Sequence, residues 1–512
     1  MSNSPTPIVG IDLGTTYSAV AYLDDIDRPK TLLNAEGDKL TPSVLLFEGN
    51  NVIVGKEAVK AMSTDMDLIA ACPKRDLGQR FFHKPIGGRQ YPPEALEAWI
   101  LNKLRIDASL QIGDFEKVVI TVPAYFDEVR RKATQDAGYM AGFEVIDIIN
   151  EPTAAAVAFG FQQGFLNQVG EARSRMRVVV YDLGGGTFDT TVMEIKGAEF
   201  RTLATDGDMQ LGGRDWDQRM VDYVSQQFMT QFNVDPRTDN NMLGRLWREC
   251  EDAKRTLSAR EKAVLTIDFQ GNSSKIEITR HKFQELTADL VDRTAFTTRQ
   301  VLQAAGLSWS DIDRVLMVGG STRMPAVREM LTKLSGQQPD HSVSPDEAVA
   351  HGAALRAGFL IKKYGESSTP IRIKNVNSHS LGVVATDPQT RRPRNATLIP
   401  RNTPLPVVAR RVFQTQKPGQ KSIRVEIVEG ESVSPEECTK IGKCSIRELP
   451  PNLPAQTPIE VRFCYEENGR LEVHVKVQNT DKELKHEIVR ENSLTQDQLN
   501  SWRKYICGIP AK

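Results

Sequence analysis

The sequence predicts an α/β protein with a duplicated sheet-forming unit, followed by an antiparallel β-domain. Three observations carry that prediction. "IVGIDLGTTYSAVAYL", Ile8 to Leu23, reads as an apolar strand, Asp-Leu-Gly, a small polar turn, an aromatic residue and a second apolar strand. "VVVYDLGGGTFDTTVMEI" repeats that order about 170 residues later, a spacing that suggests a duplicated domain and not a short-period solenoid. Past about residue 365, "SIRVEIVEG" and "IEVRFCYEENGRLEVHVKVQ" alternate apolar and polar residues with the period of two of a half-buried strand.

At 512 residues the chain has room for several domains, each with its own core. An apolar content of 40%, a charged content of 26% and a net charge of -1 are ordinary for a globular chain and give no overall pull toward nucleic acid or an anionic membrane. The run "RRPR" at 391–394 reads as a solvated loop. The start, "MSNSPTPIVG", lacks the basic and apolar segments of a secretory signal, and no run approaches the ~20 apolar residues of a membrane span. A cytoplasmic location is expected. The six cysteines (72, 250, 438, 444, 464 and 507) form no CxxC pair and are expected as reduced thiols, although Cys438 and Cys444 are close enough to meet in a hairpin.

The glycine turns carry the chemistry. The second, Gly184 to Gly186, lacks the Lys-Ser/Thr of a P-loop and the following helix of a Rossmann turn. Glycine lets backbone N–H groups close around an anion, and Thr15, Thr16 and Thr187 add hydroxyls. Asp12 and Asp182, at matched positions, would repel that anion unless a cation lay between. Mg²⁺ keeps its waters and bridges carboxylates to nucleotide phosphates, so the pair predicts a metal–nucleotide between two facing hairpins. A third turn in "VLMVGGSTRMPAVREML" (315–331) runs from a strand through Gly319-Gly320-Ser321 to a helix opening near Pro325, a start able to face an anion or a sugar edge. In "LWRECEDAKRTLS" (246–258), Leu246, Cys250, Ala253 and Leu257 form an apolar stripe. Glu251, Lys254, Arg255 and Ser258 share another face, which is either solvated and self-paired or lines a ribose and adenine, with the Arg255 guanidinium on the base.

"GIDLGTTYS", "ITVPAYF", "INEPTAAA", "DLGGGTFD", "CEDAKRTLS", "VGGSTRMP" and "SPDEAVAHGAA" follow one another as they do in the 70-kDa heat-shock chaperones. The sequence resembles that family, within the actin/hexokinase/chaperone ATPase superfamily, over residues 7–490 and most strongly before 365. The resemblance implies an actin-like nucleotide-binding domain at 7–365, with ribonuclease-H-like subdomains as two lobes around a cleft. It further implies a linker at 366–376, a β-sandwich substrate-binding domain at 377–490 and a short C-terminal helix, a truncated lid, at 491–512.

For single residues the resemblance implies slow ATP hydrolysis to ADP, with Asp12 and Asp182 holding Mg²⁺ through water and K⁺ near Asp189. Lys74, in "ACPKRDLGQRF", is implied as the catalytic lysine and Glu151 as the acid beside the attacking water, with Asp182 and Thr187 also counted as catalytic. Nucleotide contacts are implied for Gly14, Thr15, Thr16, Tyr17, Gly184, Gly185, Gly186, Thr187, Gly212 and Gly213. They extend to Glu251, Lys254, Arg255, Ser258, Gly319, Gly320, Ser321, Arg323 and Asp346. Pro123 and Arg131 are implied to relay nucleotide state outward.

In the C-terminal third, Asn468-Gly469 between two alternating runs is a type I′ hairpin signal. "HSLGVV" and "TLIPRNTPLPVVARRVFQTQ" follow the family's sandwich, implying a peptide groove at Leu381, Val383, Phe413, Ile423 and Val425; from the residues alone these five also read as core. Four departures stand out. "TPIRIKNV" (369–376) replaces the acidic-leucine linker, keeping Ile371 and Ile373 but with Arg372 and Lys374 in place of leucines, which puts interdomain coupling in doubt. Thr386 and Gln416 stand where apolar side chains arch over the peptide, implying a weaker or more polar grip. The lid is reduced to "SLTQDQLNSWRKYI", with Thr495 and Gln498 spaced as a capping box, implying fast release. The segment 81–93 is short, which would alter contacts with an exchange factor.

The function implied is an ATP-dependent chaperone for extended or unfolded polypeptide, monomeric, served by a J-domain co-chaperone and a nucleotide exchange factor, without nucleic acid or membrane. The alternative is a lidless adaptor or co-chaperone with a weak or uncoupled ATPase, against which Lys74 and Glu151 stand. A sugar kinase or actin-like filament protein is opposed by the appended β-domain.

Overall fold

The computed structural model describes residues 7–165, 175–362, 371–466, 471–478, 480–487 and 493–508. The strand Val9–Asp12 lies inside the first sheet, antiparallel to Tyr17–Leu23 and parallel to Lys117–Val122, with Pro29–Thr31 and Glu144–Asn150 beyond them. The strand is covered on both faces: Val9 and Ile11 are fully buried on one, and on the other a β-carbon on Gly10 would lie 2.1 Å from the Ala354 amide nitrogen. The second sheet repeats the plan. Met176–Leu183 is antiparallel to Phe188–Lys196 and parallel to Arg314–Val318, with Glu199–Asp208 beyond the hairpin. Asp12 and Asp182 therefore sit at the ends of equivalent strands, at the two turns.

Two alanine-rich helices, Glu151–Gln162 and Ala348–Lys362, pack between the sheets. Their small residues are required because the backbones touch: a β-carbon on Gly352 would lie 1.8 Å from the Ala154 carbonyl oxygen. This crossing fixes the start of the first helix, and Glu151 is its first residue.

The described residues between 381 and 487 form two four-stranded antiparallel sheets around one core. The alternation in "IEVRFCY" is realised: Ile459, Val461, Phe463 and Tyr465 are buried, while the residues between them turn outward. Cys438 and Cys444 are unpaired, as are the other four cysteines. Asn468-Gly469 lies outside the described residues, as do Thr369 and Pro370 of the linker.

The described part of the linker, 371–376, is in place. Arg372–Lys374 adds to the second sheet as a parallel strand beside Glu199–Arg201. Ile371 is buried in that lobe's core and Ile373 packs against it. Arg372 and Lys374 point outward, Lys374 reaching Glu199 at 2.9 Å. The charged replacements are accommodated because they fall on the solvent side of the alternation.

The helix Gln496–Cys507 starts at a reciprocal Thr495–Gln498 capping box. It packs on the first lobe: Leu499 enters that lobe's core, the Trp502 ring lies edge-on to Trp99 at 5.7 Å, and Tyr139 Oη donates to Asn500 Oδ1 at 2.7 Å. No helix among the described residues is long and apolar enough to cross a membrane.

Gly352→Ala should drive the crossing helices apart at a cost on the order of 1–3 kcal/mol, seen as a lower Tm of the two lobes in scanning calorimetry. An unchanged Tm would show that the helices do not meet this closely.

Candidate active site

A cavity of about 500 Å³ opens between the two sheets. Its floor is the pair of hairpin turns, which touch. A β-carbon on Gly185 would lie 2.1 Å from Thr16 Oγ1, and one on Gly186 would lie 2.2 Å from Thr15 Cγ2. The second turn carries glycines because the threonines of the first turn occupy the space a side chain would need.

Above the turns, Lys74 Nζ donates to the Leu13 carbonyl at 2.5 Å and to Glu151 Oε1 at 2.7 Å. Burial pulls the ammonium's pKa down, but Glu151, Asp12 and Glu97 outweigh it and hold it above its ordinary value. The acids are in excess. Burial and then Glu151 raise Asp12; burial and then Glu151, Asp189 and Asp12 raise Asp182. Asp189 is pushed up to about 8, again by burial and then Glu151. Four carboxylates around one ammonium make a site short of positive charge. Such an oxygen-rich set fits Mg²⁺, and three of its members, Asp12, Asp182 and Glu151, line the cavity.

Other candidates from the sequence also line the cavity: Gly14, Thr15, Thr16, Tyr17, Gly184, Gly185 and Thr187 on the turn side. Glu251, Lys254, Arg255, Ser258, Gly319, Gly320, Ser321, Arg323 and Asp346 line the other. The helix face at 251–258 therefore borders the cleft, but Arg255 lies 5.2 Å over the Tyr17 ring and donates to Tyr17 Oη and Glu251, each at 2.6 Å. Gly186, Gly212, Gly213 and Asp189 stand outside the lining. The Gly186 carbonyl accepts from Arg75 Nη2 and the Gly213 carbonyl from Lys254 Nζ, both at 2.9 Å. The Gly212 amide donates to Asp215 at 2.7 Å, and Asp189 Oδ1 accepts from the Tyr125 amide at 3.0 Å.

Several contributors had no sequence signal. Arg75 crosses the cleft to Asp215 Oδ2 at 2.5 Å, and Asp217 anchors Lys254 at 2.7 Å. Trp247 packs against apolar clusters of both lobes, under the Arg214 guanidinium at 4.3 Å. Asn240 Nδ2 donates to Asp67 at 2.8 Å, and Asn241 Oδ1 accepts from the Met66 amide at 3.0 Å. These contacts join residues far apart in the chain, which one sequence does not pair.

Pro123 and Arg131 both hold the loop 123–126. The Pro123 carbonyl accepts from the Phe126 amide at 3.2 Å, while Arg131 donates to the Ala124 carbonyl at 3.3 Å and to Asn150 Oδ1 at 2.6 Å. Tyr125 of the same loop reaches Asp189 with its amide and accepts from His379 Nε2 at 2.9 Å with its carbonyl.

A family model described as Hsp70 protein matches residues 8–87 and 82–505. The chain belongs to the Hsp70 family. Similar chains include the chaperone protein DnaK of Metamycoplasma hominis, 36% identical over 505 residues, 97% of this chain and 82% of that relative. The chaperone protein DnaK of Halobacterium salinarum is 39% identical over 481 residues, 92% of this chain and 73% of that relative. As a family member the chain is an ATP-dependent molecular chaperone and an ATPase that uses nucleotide and Mg²⁺. The two matched segments overlap at 82–87, within the stretch 81–93 that the sequence reading expects to be short.

In the β-domain of this Hsp70, Leu381, Val383, Ile423 and Val425 are buried in the sandwich core and Phe413 is half-buried against it. Gln416 Nε2 donates to Thr386 Oγ1 at 2.8 Å, closing an exposed polar bridge.

Glu97, beneath Lys74, is fully buried with neither carboxylate oxygen hydrogen-bonded among the described residues, and burial lifts its pKa from 4.5 to about 8. The folded chain thus holds a proton that the unfolded chain releases. The stability this contributes is present below pH 4.5 and is lost as pH rises toward 8. Glu97→Gln should gain Tm relative to the parent progressively between about pH 5 and 8. A difference independent of pH would contradict this.

Proposed function

We propose that ATP is hydrolysed between the facing turns, with Lys74 and Glu151 as the central pair, and that nucleotide state reaches the β-domain through the 123–126 loop and the 371–374 strand. The observation that carries this reading is the buried Lys74 ammonium, fixed between the Leu13 carbonyl and Glu151 at the mouth of both turns. Phosphoryl transfer needs positioning and charge compensation more than covalent help from the protein. In this reading Thr15 and Thr187 donate to phosphate oxygens, Lys74 offsets the charge that builds on the transferring group, and Glu151 orients the attacking water. Asp12 and Asp182 would hold Mg²⁺ through water, which would add charge neutralisation, and Asp189 would face K⁺. Adenosine lies between the 251–258 face and the Gly319–Arg323 turn. Ser321 Oγ, donating to the Gly184 carbonyl at 2.9 Å, ties that turn to the phosphate side.

The coupling reading rests on the docked contacts. His379 packs on Tyr125 at 4.2 Å, Arg401 pairs with Asp206 at 2.9 Å, and Tyr465 Oη donates to Glu128 at 2.8 Å. The loop that carries Tyr125 is held by Asp189 and, through Arg131, by Asn150 just before Glu151. A change at the phosphates thereby alters the β-domain's seat, and peptide is bound differently in the two states. The substrate is extended or unfolded polypeptide, met by Phe413 and the Thr386–Gln416 bridge with Leu381, Val383, Ile423 and Val425 beneath. The domain limits proposed are 7–365, 366–376, 377–490 and 491–512. The chain acts as a cytoplasmic monomer with a J-domain co-chaperone and an exchange factor.

Lys74→Ala should slow single-turnover hydrolysis by about 10²–10³-fold while ATP binding survives. Hydrolysis at the parent rate would sink the assignment. An unfolded peptide should accelerate the parent enzyme, and Ile371→Asp with Ile373→Asp should abolish that acceleration while basal turnover persists. Acceleration that survived in the double variant would remove the strand from the coupling route.

A further inference from the structure

The strands Pro458–Tyr465 and Leu471–Val477 pair antiparallel, with Cys464 directly opposite Glu472 and Arg462 opposite His474. Alternate residues of a strand share a face. Phe463, Val473 and Val475 are fully buried in the sandwich core, so Cys464, Glu472 and His474 stand together on the outer face. The direct partner and the i,i+2 neighbour are the positions from which side chains converge across a strand pair. Here they do: the thiol, one carboxylate oxygen and one imidazole nitrogen lie within 4.8 Å of one another. His474 Nε2 and Glu472 Oε2 are 3.0 Å apart, and their side chains are 23% and 30% exposed, reachable from solvent and seated on paired strands. Cys464 is a free thiol, and neither the hydrolysis nor the peptide reading uses any of the three.

We propose that Cys464, Glu472 and His474 form a zinc site. Thiolate, imidazole and carboxylate are the donors Zn²⁺ takes, and three protein ligands leave its fourth tetrahedral position to water. Mg²⁺ and Ca²⁺, which take oxygen donors, are poorly served by sulfur and nitrogen. On binding, a zinc–sulfur bond forms and the Cys464 proton leaves to solvent. Arg462 opposes a cation here, but it is exposed and its long side chain can keep the guanidinium in water. The bound ion would clip the two strands together at the end where Tyr465, on the opposite face, reaches Glu128 of the first lobe.

The test uses the full, reduced, metal-stripped chain. Zn²⁺ is titrated against a chromophoric chelator, and Co²⁺ is added as a spectroscopic stand-in. The site predicts one zinc per chain and a thiolate-to-cobalt charge-transfer band in the near ultraviolet. Both should vanish in Cys464→Ser, weaken in His474→Gln and persist in Cys438→Ser. Should Cys464→Ser fail to fold, the partly exposed His474→Gln carries the comparison. No zinc uptake by the parent, or a band retained in Cys464→Ser or unchanged in His474→Gln, would overturn the proposal.

Discussion

The close contact between the two hairpin turns sets the geometry of the cleft, and it exists only because Gly185 and Gly186 present no side chain to Thr15 and Thr16. Bringing the turns together also brings together the duplicated acids Asp12 and Asp182 at the ends of equivalent strands. Glu151 joins them because the crossing at Ala154 and Gly352 fixes the start of its helix. The resulting excess of carboxylate raises the pKa values of its members and leaves Lys74 charged in a buried place. A site that is uncomfortable for the protein alone is suited to a magnesium nucleotide.

The same arrangement reaches outward through one loop. Residues 123–126 touch Asp189 on one side and His379 of the β-domain on another, and Arg131, which donates to the Ala124 carbonyl, ties them to Asn150. Magnitudes decide what holds the domains together. A part-exposed ion pair such as Arg401–Asp206 contributes ~0.2–1 kcal/mol, whereas fully burying one side chain such as Ile371 or Leu499 contributes about 1.5–3 kcal/mol. The apolar anchors supply the adhesion, and the polar contacts fix where the β-domain and the C-terminal helix sit.

What was legible in the sequence was local. The duplicated turns, the alternation of "IEVRFCY", the Ile371/Ile373 pattern and the Thr495 capping box each lie within a few residues and follow from backbone periodicity. Contacts that bring distant segments together were not legible. The Arg75–Asp215 bridge, Trp247 between two lobes and the docking of Trp502 on Trp99 join residues that no period relates. The role proposed for Lys74 rests on the resemblance, because one lysine in "ACPKRDLGQRF" has no spacing of its own. Alternation also cannot separate a groove residue from a core residue, and four of the five groove candidates are buried in the sandwich core.

The most direct test of the central claim is calorimetric titration of Mg²⁺–ATP into Gly185→Ala, with circular dichroism as the check on folding. A β-carbon there meets Thr16 at 2.1 Å, so the turns must part, and the account predicts a folded chain that has lost nucleotide affinity. A folded variant that binds Mg²⁺–ATP like the parent would contradict it.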